Sequence, residues 1–116
     1  MTNATEAASS QLRKGVVELA ILALLHRGEA YGGEIVDRLA EHPGLAISPG
    51  TAYPLLSRLR KSGLITSAWR ESPVGPPRKY YRLSPDGEQA FVDMARVWNG
   101  MKDDMDTLLG TDAPHD

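Results

Sequence analysis

Cysteine is missing altogether from this 116-residue chain, which excludes disulfides, thiolate zinc sites and thiol catalysis together. That absence suits a reducing, cytoplasmic setting. Aromatic residues are scarce at 6%, with a single phenylalanine, so a core must be built mainly from aliphatic side chains. No apolar run exceeds Leu19–Leu25, far short of the roughly 20 residues that span a bilayer. The polar stretch Met1–Gln11, whose only charge is Glu6, has no apolar segment behind it and predicts no signal peptide. His26, His42 and His115 lack ligand spacing. Asp103, Asp104 and Asp106 would point different ways on a helix, which reads as a solvated face. No phosphate loop, dinucleotide glycine pattern or nucleophile elbow occurs. These absences predict a protein with no metal, no cofactor and no enzymatic activity.

What is present is one domain's worth of chain, 41% hydrophobic and 24% charged. A net charge of −2 argues against a wholly basic, DNA-coating protein, yet the charge is unevenly placed. Residues 1–50 carry four basic side chains against six acidic ones. Residues 51–83 carry seven (Arg58, Arg60, Lys61, Arg70, Arg78, Lys79, Arg82) against Glu71 alone, and residues 84–116 carry two against eight. The central third, at +6, is a polyanion-attracting segment inside an acidic protein. Pairing of those cations with the acidic third is the bland alternative, and charge alone does not separate the two.

Residues 1–11 hold too little apolar surface to fold and are expected to be a disordered arm. From Leu12 a helix is predicted, with Leu12, Val16, Leu19, Leu22 and Ala23 as one stripe and Val17, Ile21, Leu24 and Leu25 widening it. Apolar on so much of its circumference, it should be central and buried, and Gly28 should supply a left-handed stop. A second helix follows Tyr31-Gly32-Gly33, with Glu34 in its first turn and Ile35, Val36 and Leu39 inward, ending near His42-Pro43-Gly44. The third opens at Ser48-Pro49-Gly50-Thr51 with Ser48 as cap. Its core side is Ala52, Leu55, Leu56 and Leu59, and Gly63 ends it. Pro54 falls well inside this helix, so either its first turn is tightened or it starts at Gly50 or Thr51. Ile65–Glu71 and Arg78–Leu83 then read as a β-hairpin whose tip, Ser72–Pro77, is stiffened by three prolines. Trp69 in its first strand is expected to pack on the core rather than stack on a base. Ser84-Pro85 caps a last helix whose apolar residues Phe91, Met94, Trp98, Met101, Met105 and Leu108 step by 3, 4, 3, 4 and 3, an a/d seam.

Three helices followed by a hairpin is the order of a winged helix-turn-helix, in which the third helix enters the major groove and the wing touches neighbouring backbone. The predicted fold is therefore mainly α with a small β-hairpin, a winged helix-turn-helix over residues 12–83. A C-terminal dimerisation helix over 84–109 and a disordered tail over 110–116 complete it. With its apolar side buried, the third helix presents Thr51, Tyr53, Pro54, Ser57, Arg58 and Lys61 outward. Arg78, Lys79 and Tyr80 lie beside the wing tip, so the basic third coincides with the two elements that meet double-stranded DNA. A dimeric winged-helix adaptor that binds a protein instead is the alternative.

The segments Ser48-Pro49-Gly50-Thr51-Ala52-Tyr53-Pro54-Leu55-Leu56-Ser57-Arg58-Leu59, Gly63-Leu64-Ile65 and Gly75-Pro76-Pro77-Arg78-Lys79-Tyr80-Tyr81-Arg82-Leu83-Ser84 closely resemble the PadR family of bacterial transcriptional regulators. The likeness runs from about Leu12 to Leu109, and the single C-terminal helix is that of short-type members. Ala52 stands where a larger residue is usual, which loosens the packing expected beneath the third helix. Gly33 replaces a bulkier residue after Tyr31-Gly32. The resemblance implies a homodimeric repressor of its promoter, released by a small molecule or another signal. It carries DNA contact onto Ser48, Thr51, Tyr53, Pro54, Arg78 and Lys79, and pairing onto the last helix. It also suggests an effector, a flat aromatic or cationic molecule held between paired C-terminal helices by Trp98, Met94 and Met101, since indole faces and adaptable thioethers suit such a guest. Trp98 as simple filling of the dimer core is the competing reading.

Overall fold

The computed structural model describes residues 15–110, together with Ala8. The expected N-terminal arm, the helix start at Leu12 and the tail beyond Gly110 lie outside the described residues. The chain is mainly helical with a small antiparallel sheet. Its elements are α1 (Val16–His26), β1 (Ala30–Tyr31), α2 (Gly32–Ala40), a 3-10 turn (Pro43–Leu45), α3 (Pro49–Lys61), β2 (Ile65–Arg70), β3 (Arg78–Leu83) and α4 (Pro85–Leu109). The strand order is β1-β3-β2.

Helix α1 is the central element, as its apolar circumference predicts, but its deepest face differs from the stripe read in the sequence. Val17, Ile21, Leu22 and Leu25 are buried in the core. Val16, Leu19, Ala20 and Ala23 instead line grooves shared with α4. Both faces are apolar, and periodicity alone could not rank them. Gly28 follows with φ 151°, a glycine-favouring conformation but not the left-handed helical stop expected. Helix α2 buries Ile35 and Leu39, and the Glu34 carboxylate accepts the Tyr31 N–H at 3.3 Å, satisfying one free amide of the first turn.

Helix α3 begins at Pro49 with Ser48 as cap, and the Ser48 Oγ accepts the Thr51 N–H at 3.3 Å. Pro54 is accommodated inside the helix, although it cannot donate to the Gly50 carbonyl and so leaves a gap in the ladder on the exposed side. Ala52, Leu56 and Leu59 are buried and Leu55 is half-buried. Gly63, at φ 81°, turns the chain into the wing.

The sequence missed β1, whose two residues are too short to leave a periodic signal. Ala30 pairs with Tyr81 and Tyr31 with Tyr80, so a third strand braces the wing against α2. Alternation splits the sheet: Ala30, Ile65 and Tyr81 are buried towards the helices, and Tyr31, Tyr80, Arg70 and Arg78 share the outer face. There the Arg78 guanidinium sits 4.3 Å from the Tyr31 ring centroid, Tyr31 meets Tyr80 edge-on at 5.5 Å, and Arg70 stacks 4.8 Å from Tyr80. Arg70 is also ion-paired with Glu29. At the wing tip the Ser72 hydroxyl donates to the Val74 carbonyl at 2.6 Å, so a side-chain bond joins the proline stiffness anticipated there.

Burial raises the Tyr81 phenol above its ordinary pKa of 10.0; the neighbouring Tyr53 adds to the rise and Arg60 opposes it. A folded-state pKa above the unfolded one means that this contribution to stability is complete below about pH 10 and fades as pH climbs through the folded value. Tyr81→Phe is therefore expected to move alkaline unfolding, followed by circular dichroism, to higher pH.

Candidate nucleic-acid interface

The side chains of α3 fan out around the helix at 100° per residue, and the neighbours of each identify its direction. Ala52, Leu56 and Leu59 point inward. Gly50, Pro54, Ser57 and Lys61 centre on the opposite side; all are exposed except Ser57, which is half-buried. Thr51 and Arg58 occupy the flank towards α1, where they line a cleft of about 650 Å³ with Glu18, Ile47, Ser48 and Pro54. Arg58 lies 3.6 Å from the Glu18 carboxylate. That contact aims it along the helix side, although its own side chain remains 65% exposed and free to exchange partner.

The other flank belongs to Tyr53 and Arg60. The Tyr53 ring lies on the first turn of α2, where a side chain at Gly32 would collide with it. Tyr53 shares a cleft of about 390 Å³ with Tyr31, Trp69, Pro77, Arg78 and Lys79. The recognition helix and the wing therefore meet around one opening lined by aromatic and cationic groups. Arg60 is exposed and close enough to Tyr81 to act on its phenol, which places an unanticipated cation on this side. Its position seven residues after Tyr53, two helical turns on, was the signal that could have found it.

The ten predicted contact residues thus fall on four surfaces. Ser48, Thr51, Pro54 and Arg58 edge the α1 side, Lys61 and Ser57 lie centrally, and Tyr53 and Lys79 face the cleft with the wing. Arg78 stands on the outer sheet face against Tyr31. Tyr80 is half-buried between Tyr31 and Arg70, where its ring braces cations. Trp69 corrects the expectation of core packing: it is 68% exposed. Its strand parity is inward, but the ring faces the open cleft that it shares with Tyr53 and Lys79.

The C-terminal helix starts from Ser84, whose Oγ accepts the Gly87 N–H at 3.0 Å and donates to the Gly63 carbonyl at 2.6 Å. Two residues of the predicted seam are engaged within the chain. Phe91 stacks on His26 with centroids 4.5 Å apart, and both Phe91 and Met94 pack against the chain's own core. The His26 ring also contacts the Glu88 carboxylate at 2.8 Å, fastening the end of α1 to α4. Beyond this point the apolar residues Val97, Trp98, Met101, Met105 and Leu108 are exposed. The predicted effector residues Met94, Trp98 and Met101 do come together, lining a groove of about 330 Å³ with Val16, Leu19, Asp93 and Val97. Among the described residues no group of three or more histidine or acidic side chains is placed to hold a metal ion. Nor is any described helix long and apolar enough to cross a membrane.

Residues 21–93 match the family described as the transcriptional regulator PadR-like family. The chain belongs to that family. Transcriptional regulator Rv3488 of Mycobacterium tuberculosis is 35% identical over 87 residues, spanning 75% of this chain and 79% of the relative. The crystal structure of a PadR family regulator from Eggerthella lenta is similar with a TM-score of 0.80 at 34% identity, covering 92% of this chain and 93% of that one. Bacillus subtilis PadR in complex with operator DNA matches with a TM-score of 0.65 at 30% identity, over 70% of this chain and 46% of that one. As a PadR-like protein the chain is a transcriptional regulator, not an enzyme.

Proposed function

We propose that this PadR-like chain is a homodimeric repressor that binds an inverted-repeat operator through α3 and the wing and leaves it when a small molecule binds. The observation that carries the reading is the convergence of Tyr53, Arg78 and Lys79 around one cleft beside the exposed face that holds Lys61. Two separate segments thereby offer cations to a single polyanion. The structural likeness to Bacillus subtilis PadR in complex with operator DNA supports it. Pairing through α4 would repeat the surface about one DNA turn away, ~34 Å, and the exposed strip from Trp98 to Leu108 is apolar surface that a second α4 would cover.

Footprinting the DNA upstream of its own gene at two salt concentrations tests the proposal. Protection that weakens as salt rises is expected, whereas no protection at either concentration would favour the protein-binding adaptor. Replacing Lys61 or Arg58 by alanine should weaken operator binding roughly tenfold and lower the slope of log K against log salt by about one each. For Arg58→Ala the loss includes the Glu18 carboxylate left unpaired near the phosphates.

The effector reading rests on the groove around Trp98. It is almost wholly apolar and has an indole in its lining, and an indole face suits a flat aromatic or cationic guest. Titration with planar cationic dyes should change indole emission at stoichiometric ratios, and Trp98→Ala should weaken the binding at least tenfold. Unchanged affinity in that variant would remove Trp98 from the site.

A further inference from the structure

Among the described residues of the winged head, Trp69 is the largest exposed apolar side chain, and its surroundings are not those of a surface residue left over from the core. The ring projects into the cleft between α3 and the wing, across from Tyr53 and next to Pro77. Cross-strand pairing sets Trp69 opposite Lys79, and the Lys79 ammonium lies 5.7 Å from the ring centroid. Cation and indole are therefore held as a pair whose common exposed side looks out of the cleft that the recognition helix borders. An indole carries apolar area at small entropic cost and holds one N–H donor.

We propose that Trp69 is a direct DNA contact of the wing, its ring packing on a deoxyribose while Lys79 neutralises the adjoining phosphate. A strand of B-DNA alternates anionic phosphates with apolar sugar faces, and the Trp69–Lys79 pair presents the complementary sequence of surfaces. Such a contact is independent of base identity and fixes the seating of the wing. It rests on the operator-binding reading above and adds to it a residue whose contribution is apolar.

Binding of wild type, Trp69→Ala and Lys79→Ala to the duplex upstream of the gene, and to a mixed-sequence duplex at low salt, separates the possibilities. Because the ring is exposed, Trp69→Ala should keep the wild-type thermal midpoint. Its affinity for both duplexes should fall about tenfold, with the salt slope unchanged, whereas Lys79→Ala should lower the slope by about one. In protein labelled with 5-fluorotryptophan, the 19F resonance that disappears in Trp69→Phe should shift on adding either duplex. Wild-type affinity in Trp69→Ala, with the wild type binding DNA, would overturn this inference and leave the operator reading standing. A reduced salt slope in Trp69→Ala would equally overturn it, since the ring would then act only by positioning Lys79. Failure of the wild type to bind either duplex would overturn both.

Discussion

Substituting alanine for Gly87 is expected to destabilise the fold by about 3–5 kcal/mol, a large part of the ~5–15 kcal/mol that holds a domain of this size. Gly87 is buried in the first turn of α4, and a methyl group there would run into the Leu64 carbonyl, with the Leu83 side chain close on another side. Backbone cannot yield as the end of a flexible side chain can. The helix must therefore back away from the α3–β2 junction. Three bonds are tied to that contact: Ser84 N–H to the Leu64 carbonyl at 3.0 Å, Ser84 Oγ to the Gly63 carbonyl at 2.6 Å, and Gly87 N–H to Ser84 Oγ at 3.0 Å. Overpacking costs about 1–3 kcal/mol and each buried group left unpaired a further 1–3 kcal/mol. Urea denaturation should show the midpoint lowered by about 2 M. A midpoint within experimental error of wild type would mean that α4 is not locked here. Because the same turn sets the angle at which α4 leaves the head, any folded fraction should also bind the operator more weakly.

Met101→Glu is expected to convert the proposed dimer to monomers. Met101 is 55% exposed in the single chain and lies between Trp98 and Met105 on the apolar strip. A second α4 would enclose it, so the variant would bury an ionised carboxylate with no partner. The twofold axis doubles the insult. A loss on the order of a thousandfold in association, equivalent to ~4 kcal/mol, follows. Val92 is exposed to a similar degree, at 43%, but sits about 160° round the helix from Met94. Val92→Glu should leave assembly untouched and serves as the control. Sedimentation velocity on both proteins decides the matter: equal profiles for Met101→Glu and wild type would place the pairing surface elsewhere. Loss of the dimer should carry operator affinity with it, because one head neutralises half as many phosphates.

The order of elements, both serine caps, the basic central segment and the spacing of apolar residues in α4 were legible in the sequence, because each is written within a single element or its immediate flanks. Ser48-Pro49 and Ser84-Pro85 announce helix starts by their own hydrogen-bonding and backbone geometry. Even Gly87 left a trace, since a glycine within a helical turn carries a cost that usually answers to close packing. The two residues of β1 left none, and neither did the choice of which apolar face of α1 lies deepest.

What only the tertiary structure decided is where one element stops covering another. Phe91 and Met94 continue the same heptad spacing as Met101, yet they pack against the chain's own core, whereas Met101 is left exposed in the groove beside α1. Trp69 has the inward parity of Ile65, yet at its level α3 and the wing leave a cleft between them, and the ring is exposed. Arg58 and Arg60 are two residues apart on one helix, and only the placement of α1 and the wing gives the first to Glu18 and the second to the neighbourhood of Tyr81. Periodicity records direction around an axis, whereas burial and partnership depend on how far the neighbouring element extends along it.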